Sequence, residues 1–259
     1  MAAPTWILLR GLGREARHWG GFPPLLAEAL GGVRVLAPDL AGNGRRWRER
    51  SAATLAGQCD GLRAELAEVL AQGPVNLLAI SLGGMVALDW ATRRPTEVGR
   101  LVLVNTSLAG LAPFWRRLRW PRYPAIARLP LQSIAARERS ILAMVSNDPA
   151  RRAAALPQWI AWQREAPVAR ANLLRQLAAA ARFRLPPQWP GCPALLLASR
   201  RDRLVDPACS QALAAAAGWP LRLHETAGHD LPLDDPHWLA AQVAQWCGAP
   251  STILDTTPP

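Results

Sequence analysis

A serine before two glycines, an aspartate in an arginine-rich loop and a histidine after a glycine follow one another in that order along the chain, and together these types can perform nucleophilic catalysis. Ser81 lies in Ala79-Ile80-Ser81-Leu82-Gly83-Gly84, directly after the apolar run VNLLA and before the helical pattern MVALDWATRR. A serine at a tight strand-to-helix turn is held in a strained backbone conformation, which lifts its hydroxyl off the sheet and aims the following N–H groups at one point. Alone, it is explained as well by an ordinary turn as by catalysis. A hydroxyl is a poor nucleophile until a base removes its proton, and a histidine base needs an acid to fix its tautomer. Of the four histidines, His229 follows the last short apolar run, in Thr226-Ala227-Gly228-His229-Asp230. Asp202 follows the run before it, in Ser199-Arg200-Arg201-Asp202-Arg203-Leu204-Val205. Asp206 is the alternative acid, and its loop position favours Asp202. Asp230, next to the histidine, is read as pointing away from it. His18 beside Trp19, His224 alternating with Leu221 and Leu223, and His237 in the last helical stretch read as packing or surface histidines.

The elements that must position these residues are visible as short apolar runs bounded by turn residues: Thr5–Leu9, Val33–Ala37, Val75–Ala79, Leu101–Asn105, Ala194–Ala198 and Leu221–His224. Helix-length amphipathic stretches separate them, and strand followed by helix, repeated, predicts parallel strands joined by crossovers. Runs such as LVLV and ALLLA are apolar on both faces, as suits a sheet covered by helices on either side. The fold class is therefore α/β, with residues 1–105 and 190–247 forming a mostly parallel sheet and its flanking helices. Each candidate residue falls at a strand's carboxyl end.

Between the fourth and fifth runs the rhythm breaks. Residues 106–189 hold helical patterns, among them Ile134–Val145 and Val168–Arg182, separated by prolines at 121, 124, 130, 149, 157 and 167. A long helical insertion at a strand's carboxyl end is where such a sheet carries a lid over its ligand crevice. Residues 248–259 read as a loose tail.

The chain has 30 basic residues, 19 acidic ones and a formal net charge of +11. Every basic residue is arginine. Counting along the sequence, 106–189 carries 14 Arg against Glu138, Asp148 and Glu165, so the whole excess sits there. The segment Trp115-Arg116-Arg117-Leu118-Arg119-Trp120-Pro121-Arg122 interleaves aromatics with charge, a pattern that also contacts phosphate backbones, but no dedicated nucleic-acid-binding fold accompanies it. Five of the 12 tryptophans lie at 115, 120, 159, 162 and 189. Their rings pack a lid onto the sheet or line an apolar acyl pocket. No apolar run reaches the roughly 18 residues that span a bilayer, and the N-terminus lacks the charge pattern of a signal peptide. A cytoplasmic protein is expected. Cys59, Cys192, Cys209 and Cys247 never form CxxC, so neither a metal nor a disulfide framework is expected, and no cofactor.

With these residues in this order, the sequence resembles the α/β-hydrolase family over nearly its whole length. Asp202 with Leu204-Val205 and Pro207 is similar to the family's acid loop, and Gly228-His229 with Pro232 to its histidine loop. Asp39-Leu40-Ala41-Gly42-Asn43-Gly44 resembles the D-x-P-G-x-G segment, with Ala41 in the proline's place. Arg10-Gly11-Leu12-Gly13 occupies the position of the His-Gly oxyanion turn. Two residues depart from the pattern. Ala79 stands where the family has glycine, and Arg10, whose guanidinium cannot accept a hydrogen bond, replaces a histidine; it pairs with an acid or faces the substrate.

The resemblance implies that Ser81 attacks, His229 relays the proton, Asp202 orients the imidazole, and the backbone N–H groups of Leu12 and Leu82 hold the oxyanion. Arg10, Trp115 and Trp159 are the candidate substrate contacts. The implied activity is hydrolysis of a small-molecule carboxylic ester through an acyl-enzyme. Thioesterase and lactonase activity on the same triad, and a non-catalytic binding protein on the same scaffold, are the alternatives. A cationic lid would attract anionic substrates or an acidic carrier protein, an arrangement similar to that of the pimeloyl-acyl-carrier-protein methyl ester esterases within the family. A solvated helical face or an anionic membrane surface accommodates the same arginines.

Overall fold

The computed structural model describes residues 4–184 and 188–248. Apart from Gly248, the expected tail lies outside the described residues. Six strands, β1 (Trp6–Leu9), β2 (Val35–Leu36), β3 (Val75–Ile80), β4 (Val98–Val104), β5 (Ala194–Ser199) and β6 (Leu221–His224), form one sheet in the order β2-β1-β3-β4-β5-β6. Every pairing is parallel. The strands occur where the apolar runs predict them, with β4 beginning at Val98 and β2 reduced to two residues at the sheet's edge.

Helices α1 (Phe22–Ala29), α2 (Leu55–Glu65), α3 (Ala67–Leu70) and α4 (Leu82–Arg93) belong to the first half. The helices α10 (Ala208–Ala217), α11 (Leu231–Asp234) and α12 (Pro236–Cys247) belong to the last part. Successive strand side chains point to opposite faces, so one run of apolar residues builds two cores. Leu77, Ala79, Leu101, Leu103 and Leu196 pack with Leu62 of α2, Val86 and Trp90 of α4 and Leu213 of α10. Leu78, Ile80, Val102, Val104 and Leu197 face the other way, onto Phe22 and Leu26 of α1 and Leu239 and Val243 of α12. Truncating one such leucine to alanine costs about 2–5 kcal/mol, so each face contributes heavily to stability.

Between β4 and β5 lie α5 (Phe114–Arg117), α6 (Tyr123–Arg128), α7 (Ile134–Val145), α8 (Pro149–Glu165) and α9 (Arg170–Arg182). This insertion has its own cluster of Leu142, Met144, Val145, Ala155 and Trp159. Ser133 caps α7 by accepting from the Ala136 N–H, and Asp148 caps α8 by accepting from Ala150 and Arg151. Pro157, expected to separate helices, instead sits inside α8. The proline cannot donate to the helix ladder, and its tolerance there reflects the packing of Ala155 and Trp159 on either side of it.

Candidate active site

Ser81 joins β3 to α4 with φ 58° and ψ −121°, the strained turn expected of it. The geometry is held from three sides. The Ser81 N–H donates to Val104 O (2.9 Å), Gly83 lets α4 cross the end of β1, and Gly84 lies against Thr106. A Cβ on Gly83 would come within 2.5 Å of Leu9 O and 2.6 Å of Arg10 O, both rigid backbone atoms. Ala79 is fully buried in β3, paired with Leu9 and Leu103, so a methyl fits where the family has glycine.

The turn after β1 closes over this serine. A Cβ on Gly11 would lie 3.1 Å from Ser81 Cβ and 3.5 Å from its Oγ. Gly13, with φ 61°, donates to Gln176 Oε1 of α9 (3.0 Å), which leaves Leu12 between two anchored glycines. The Leu12 and Leu82 N–H groups donate to no acceptor among the described residues.

Asp202 and His229 meet at the same carboxyl edge of the parallel sheet, after β5 and β6. His229 Nδ1 is 2.7 Å from Asp202 Oδ2, and both residues are buried. Asp202 Oδ1 accepts from the Leu204 and Val205 N–H groups at 2.7 and 2.9 Å, so the carboxylate is fixed by its own loop. A carboxylate can only accept, which puts the imidazole proton on Nδ1 and leaves Nε2 as a free base. Burial disfavours the imidazolium, but the charge and hydrogen bond of Asp202, with Asp230 behind it, outweigh burial and raise the His229 pKa above the ordinary histidine value. No hydrogen bond joins Ser81 Oγ to His229 in this structure. Unliganded sites commonly hold such contacts long until substrate aligns them. Asp206 is otherwise engaged, its Oδ1 accepting from the Ala208 N–H at 2.9 Å.

Several residues that hold this arrangement carry no motif. Asn105, at φ 46° directly after β4, accepts from the Ser199 N–H (2.8 Å) and donates to His229 O (2.8 Å), tying the β5 end to the histidine loop. Asn147, just past α7, donates to Arg201 O and Thr226 O and accepts from Arg203 Nε. It joins the acid and histidine loops through the insertion. His224 is not a free surface histidine: Nδ1 accepts from the Thr226 and Ala227 N–H groups at 3.2 and 3.0 Å while Nε2 lies 3.1 Å from Asp235. A polar side chain immediately after an apolar strand is the only sequence signal for Asn105; Asn147 has none.

The three candidate substrate contacts lie in different surroundings. Arg10 places both terminal nitrogens on Asp230, whose side chain turns from His229 toward it. Trp115 is half exposed, edge-on to Phe114 on the surface of the insertion. Trp159 is buried, edge-on to His18 and capped by the Arg14 guanidinium, because the insertion is seated on the 3-10 turn Ala16–Trp19 through its aromatic rings. His18 is buried in that seam as a neutral ring. Arg14 can only donate to Nε2, and burial together with the Arg14 and Arg10 charges drives the His18 pKa well below normal. A cavity of 350 Å³ beside Leu55, Asp89, Arg93, Ala179 and Phe183 contains none of Ser81, Asp202 and His229. Among the described residues no group of His, Cys, Asp and Glu could hold a metal ion, and no helix is long and apolar enough to cross a membrane.

A parallel sheet with a strained serine after β3 and an acid–histidine pair after β5 and β6 defines a class, and the sequence falls within it. The chain belongs to the alpha/beta hydrolase family, whose profile matches residues 6–242. Among curated proteins it is similar to a pimeloyl-[acyl-carrier protein] methyl ester esterase of Aromatoleum aromaticum, 37% identical over 107 residues, or 41% of this chain and 39% of that one. The chain spans well under half the length of the curated relatives it matches; the first of them is covered over 29% of its length. Among solved structures, a 2-hydroxy-6-oxo-6-phenylhexa-2,4-dienoate hydrolase from a Rhodococcus species aligns with TM-score 0.77 at 20% identity, covering 95% of this chain and 91% of the other. A hydrolase from Pseudomonas aeruginosa aligns with TM-score 0.75 at 24% identity, covering 96% and 92%. These structural likenesses concern the fold.

Proposed function

We propose that this protein is a serine hydrolase that cleaves a carboxylic ester through an acyl-enzyme. The reading is carried by the buried 2.7 Å contact between His229 Nδ1 and Asp202 Oδ2, which leaves a base with a raised pKa at the sheet edge where Ser81 stands. His229 Nε2 takes the Ser81 proton as Oγ attacks the acyl carbon, and the imidazolium that forms is stabilised by Asp202. The Leu12 and Leu82 N–H groups, unengaged within the described chain, receive the oxyanion, each such donor contributing about 3 kcal/mol to the transition state. Collapse breaks the ester bond, His229 returns its proton to the departing alkoxide, and water repeats the sequence to release the acid. Thioester and lactone substrates pass through the same steps.

The helical insertion is the lid in this reading, over the carboxyl edge of a core formed by residues 1–105 and 190–247. Its unneutralised arginines favour an anionic substrate or an acidic carrier. Asp202 and His229 rule out no substrate by themselves, so the acyl group is assigned from a panel of esters, thioesters and lactones of graded length. A fluorophosphonate probe tests the core of the proposal. Wild type is expected to be labelled and Ser81→Ala to be unlabelled, with hydrolysis of a p-nitrophenyl ester falling by about 10⁴-fold or more. A folded wild type that takes no label, or a Ser81→Ala variant that keeps its rate, removes the proposal.

A further inference from the structure

Arg10 and Asp230 form a buried ion pair across the candidate site, Asp230 one residue and Arg10 two residues from a group the chemistry needs. Arg10 precedes Gly11 and Leu12, in the turn packed over Ser81. Asp230 follows His229. The guanidinium grips the carboxylate with both terminal nitrogens, Nη1 at 3.1 Å from Oδ1 and Nη2 at 2.5 Å from Oδ2, and both side chains are 4% exposed. Two hundred and twenty residues of chain separate the partners, so the contact is a tertiary clamp and not a turn.

Both ends of the clamp are themselves fixed. Behind Arg10, the guanidinium carbon lies 4.9 Å from the centre of the Trp19 ring, and its carbonyl lies under the start of α4, against Gly83. Around Asp230, the N–H donates to Val145 O of the insertion (2.7 Å), and the carbonyl accepts from Leu233 and Asp234 as α11 begins. The pair therefore sets the separation between the turn carrying the Leu12 N–H and the loop carrying the imidazole. A single monodentate contact would let the two loops slide, whereas a bidentate guanidinium–carboxylate pair fixes distance and angle together.

Position alone does not explain why the contact is ionic, since burying two charges is costly and an apolar pair could fill the space. The charges also act on His229. Three charged side chains act on its ring: Asp202 through the direct contact from the β5 loop, and Asp230 from its own loop and Arg10 from the β1 turn through their charge. Asp202 and Asp230 favour the imidazolium, and Arg10 opposes it. Placing a cation beside a cationic transition state is harmful unless an anion accompanies it, and Asp230 is that anion. Resting on the serine-hydrolase reading above, we propose that Arg10 and Asp230 are a positioning pair that holds the oxyanion turn against the histidine loop and sets the pH at which His229 works as a base.

The test uses the full chain with a p-nitrophenyl ester, recording kcat/KM against pH together with an NMR titration of the His229 ring. Only the neutral imidazole accepts the Ser81 proton, so the acid limb of the rate profile follows its pKa. Asp230→Asn removes a charge that favours the imidazolium and leaves Arg10 uncompensated, so the limb and the NMR titration move to lower pH by roughly one unit. Arg10→Met moves both to higher pH. The double variant returns both toward wild type while kcat stays down by about 10- to 100-fold, because the loops are no longer clamped. Arg10→Lys, which keeps the charge and loses the bidentate grip, leaves the limb in place and lowers kcat. It also decides the matter if Arg10→Met does not fold. A folded Asp230→Asn variant whose limb and ring titration coincide with wild type overturns the proposal, as does an unchanged kcat in both Arg10→Lys and the double variant. Failure of the hydrolase reading is distinct: Ser81→Ala would then retain the wild-type rate, while the ring titration would still report on the pair.

Discussion

The sheet core and the helical insertion both use arginine as their only basic residue, yet they use it differently. In the core, arginines meet carboxylates: Arg10 with Asp230, Arg46 with Glu49 and Glu65, Arg63 with Glu97, and Arg93 with Asp60 and Asp89. In the insertion they donate mainly to backbone carbonyls, Arg117 to Ala180, Arg119 to Asp202, Arg122 to Arg203 and Arg152 to Ser146. Among the described residues only Arg116 and Arg137 of that segment lie within 4.0 Å of a carboxylate. Two of its three acids, Glu138 and Glu165, are engaged by the core arginines Arg14 and Arg17. A carbonyl satisfies the donor without cancelling the charge. Arginines and acids balance in number over the rest of the sequence, so the net positive charge lies in the insertion.

Apolar exposure divides the same way. Phe114, Trp115, Trp120, Leu131, Leu174 and Leu177, the large hydrophobic side chains exposed among the described residues, all belong to the insertion. In the proposed reading the core supplies the chemistry, and the insertion supplies the surface that meets a substrate. The sharpest way to break this division is to damage the site within the core while leaving the insertion intact. Asp202→Asn is expected to lower kcat by about 10⁴-fold, because the tautomer of His229 is lost while the surrounding loop hydrogen bonds can persist. Steady-state kinetics with circular dichroism checks this, and a near-wild-type rate in a folded variant contradicts the assignment of Asp202.

A smaller effect is expected from the seam between the two regions. Trp159→Ala empties the centre of the insertion's own cluster and uncovers His18 and Arg14, at a cost of about 3–5 kcal/mol. Limited proteolysis should then cut within the insertion at temperatures where the sheet still gives its native circular dichroism. Simultaneous loss of both would make the two regions one cooperative unit. The smallest effect concerns the field. Raising ionic strength from about 0.02 to about 0.5 M is expected to lower kcat/KM for an ester with an anionic acyl group by about tenfold, and hardly at all for a neutral ester of equal length. Substituting the exposed Arg116, Arg128, Arg139 and Arg151 with Gln should remove the difference, and equal salt dependence for both esters would show that the field steers nothing. Arg117 and Arg119 are unsuitable for that test because they hold Ala180 and Asp202 in place.

The sheet was legible because its central strands are apolar on both faces, a pattern that solvent-facing strands do not show, while β6 alternates Leu221 and Leu223 with Arg222 and His224. The helix limits of α7 were legible for a similar reason, with Ser133 supplying the cap. Within the site, strand ends announced Ser81, Asp202 and His229 through local turn chemistry. What stayed hidden depends on pairing between distant segments. Nothing near Arg10 says that its carboxylate lies at 230, and nothing near Asn147 says that it reaches residues 201 and 226. Tryptophan identity likewise does not separate Trp115 from Trp159, because an amphipathic ring serves equally on a surface and in a seam. Proline at 157 misled for the converse reason: a local helix breaker was overridden by tertiary packing.

Asn147 belongs to the insertion, between α7 and α8, yet it fastens the loops on which Asp202 and His229 ride. In the proposed reading the insertion is thus a structural member of the catalytic machinery as well as its cover, and exchanging it for another family member's would leave both loops without the bolt that Asn147 provides. Altering selectivity here calls for edits at the rim around Phe114 to Leu131, with the segment from Val145 to Asp148 transplanted unchanged.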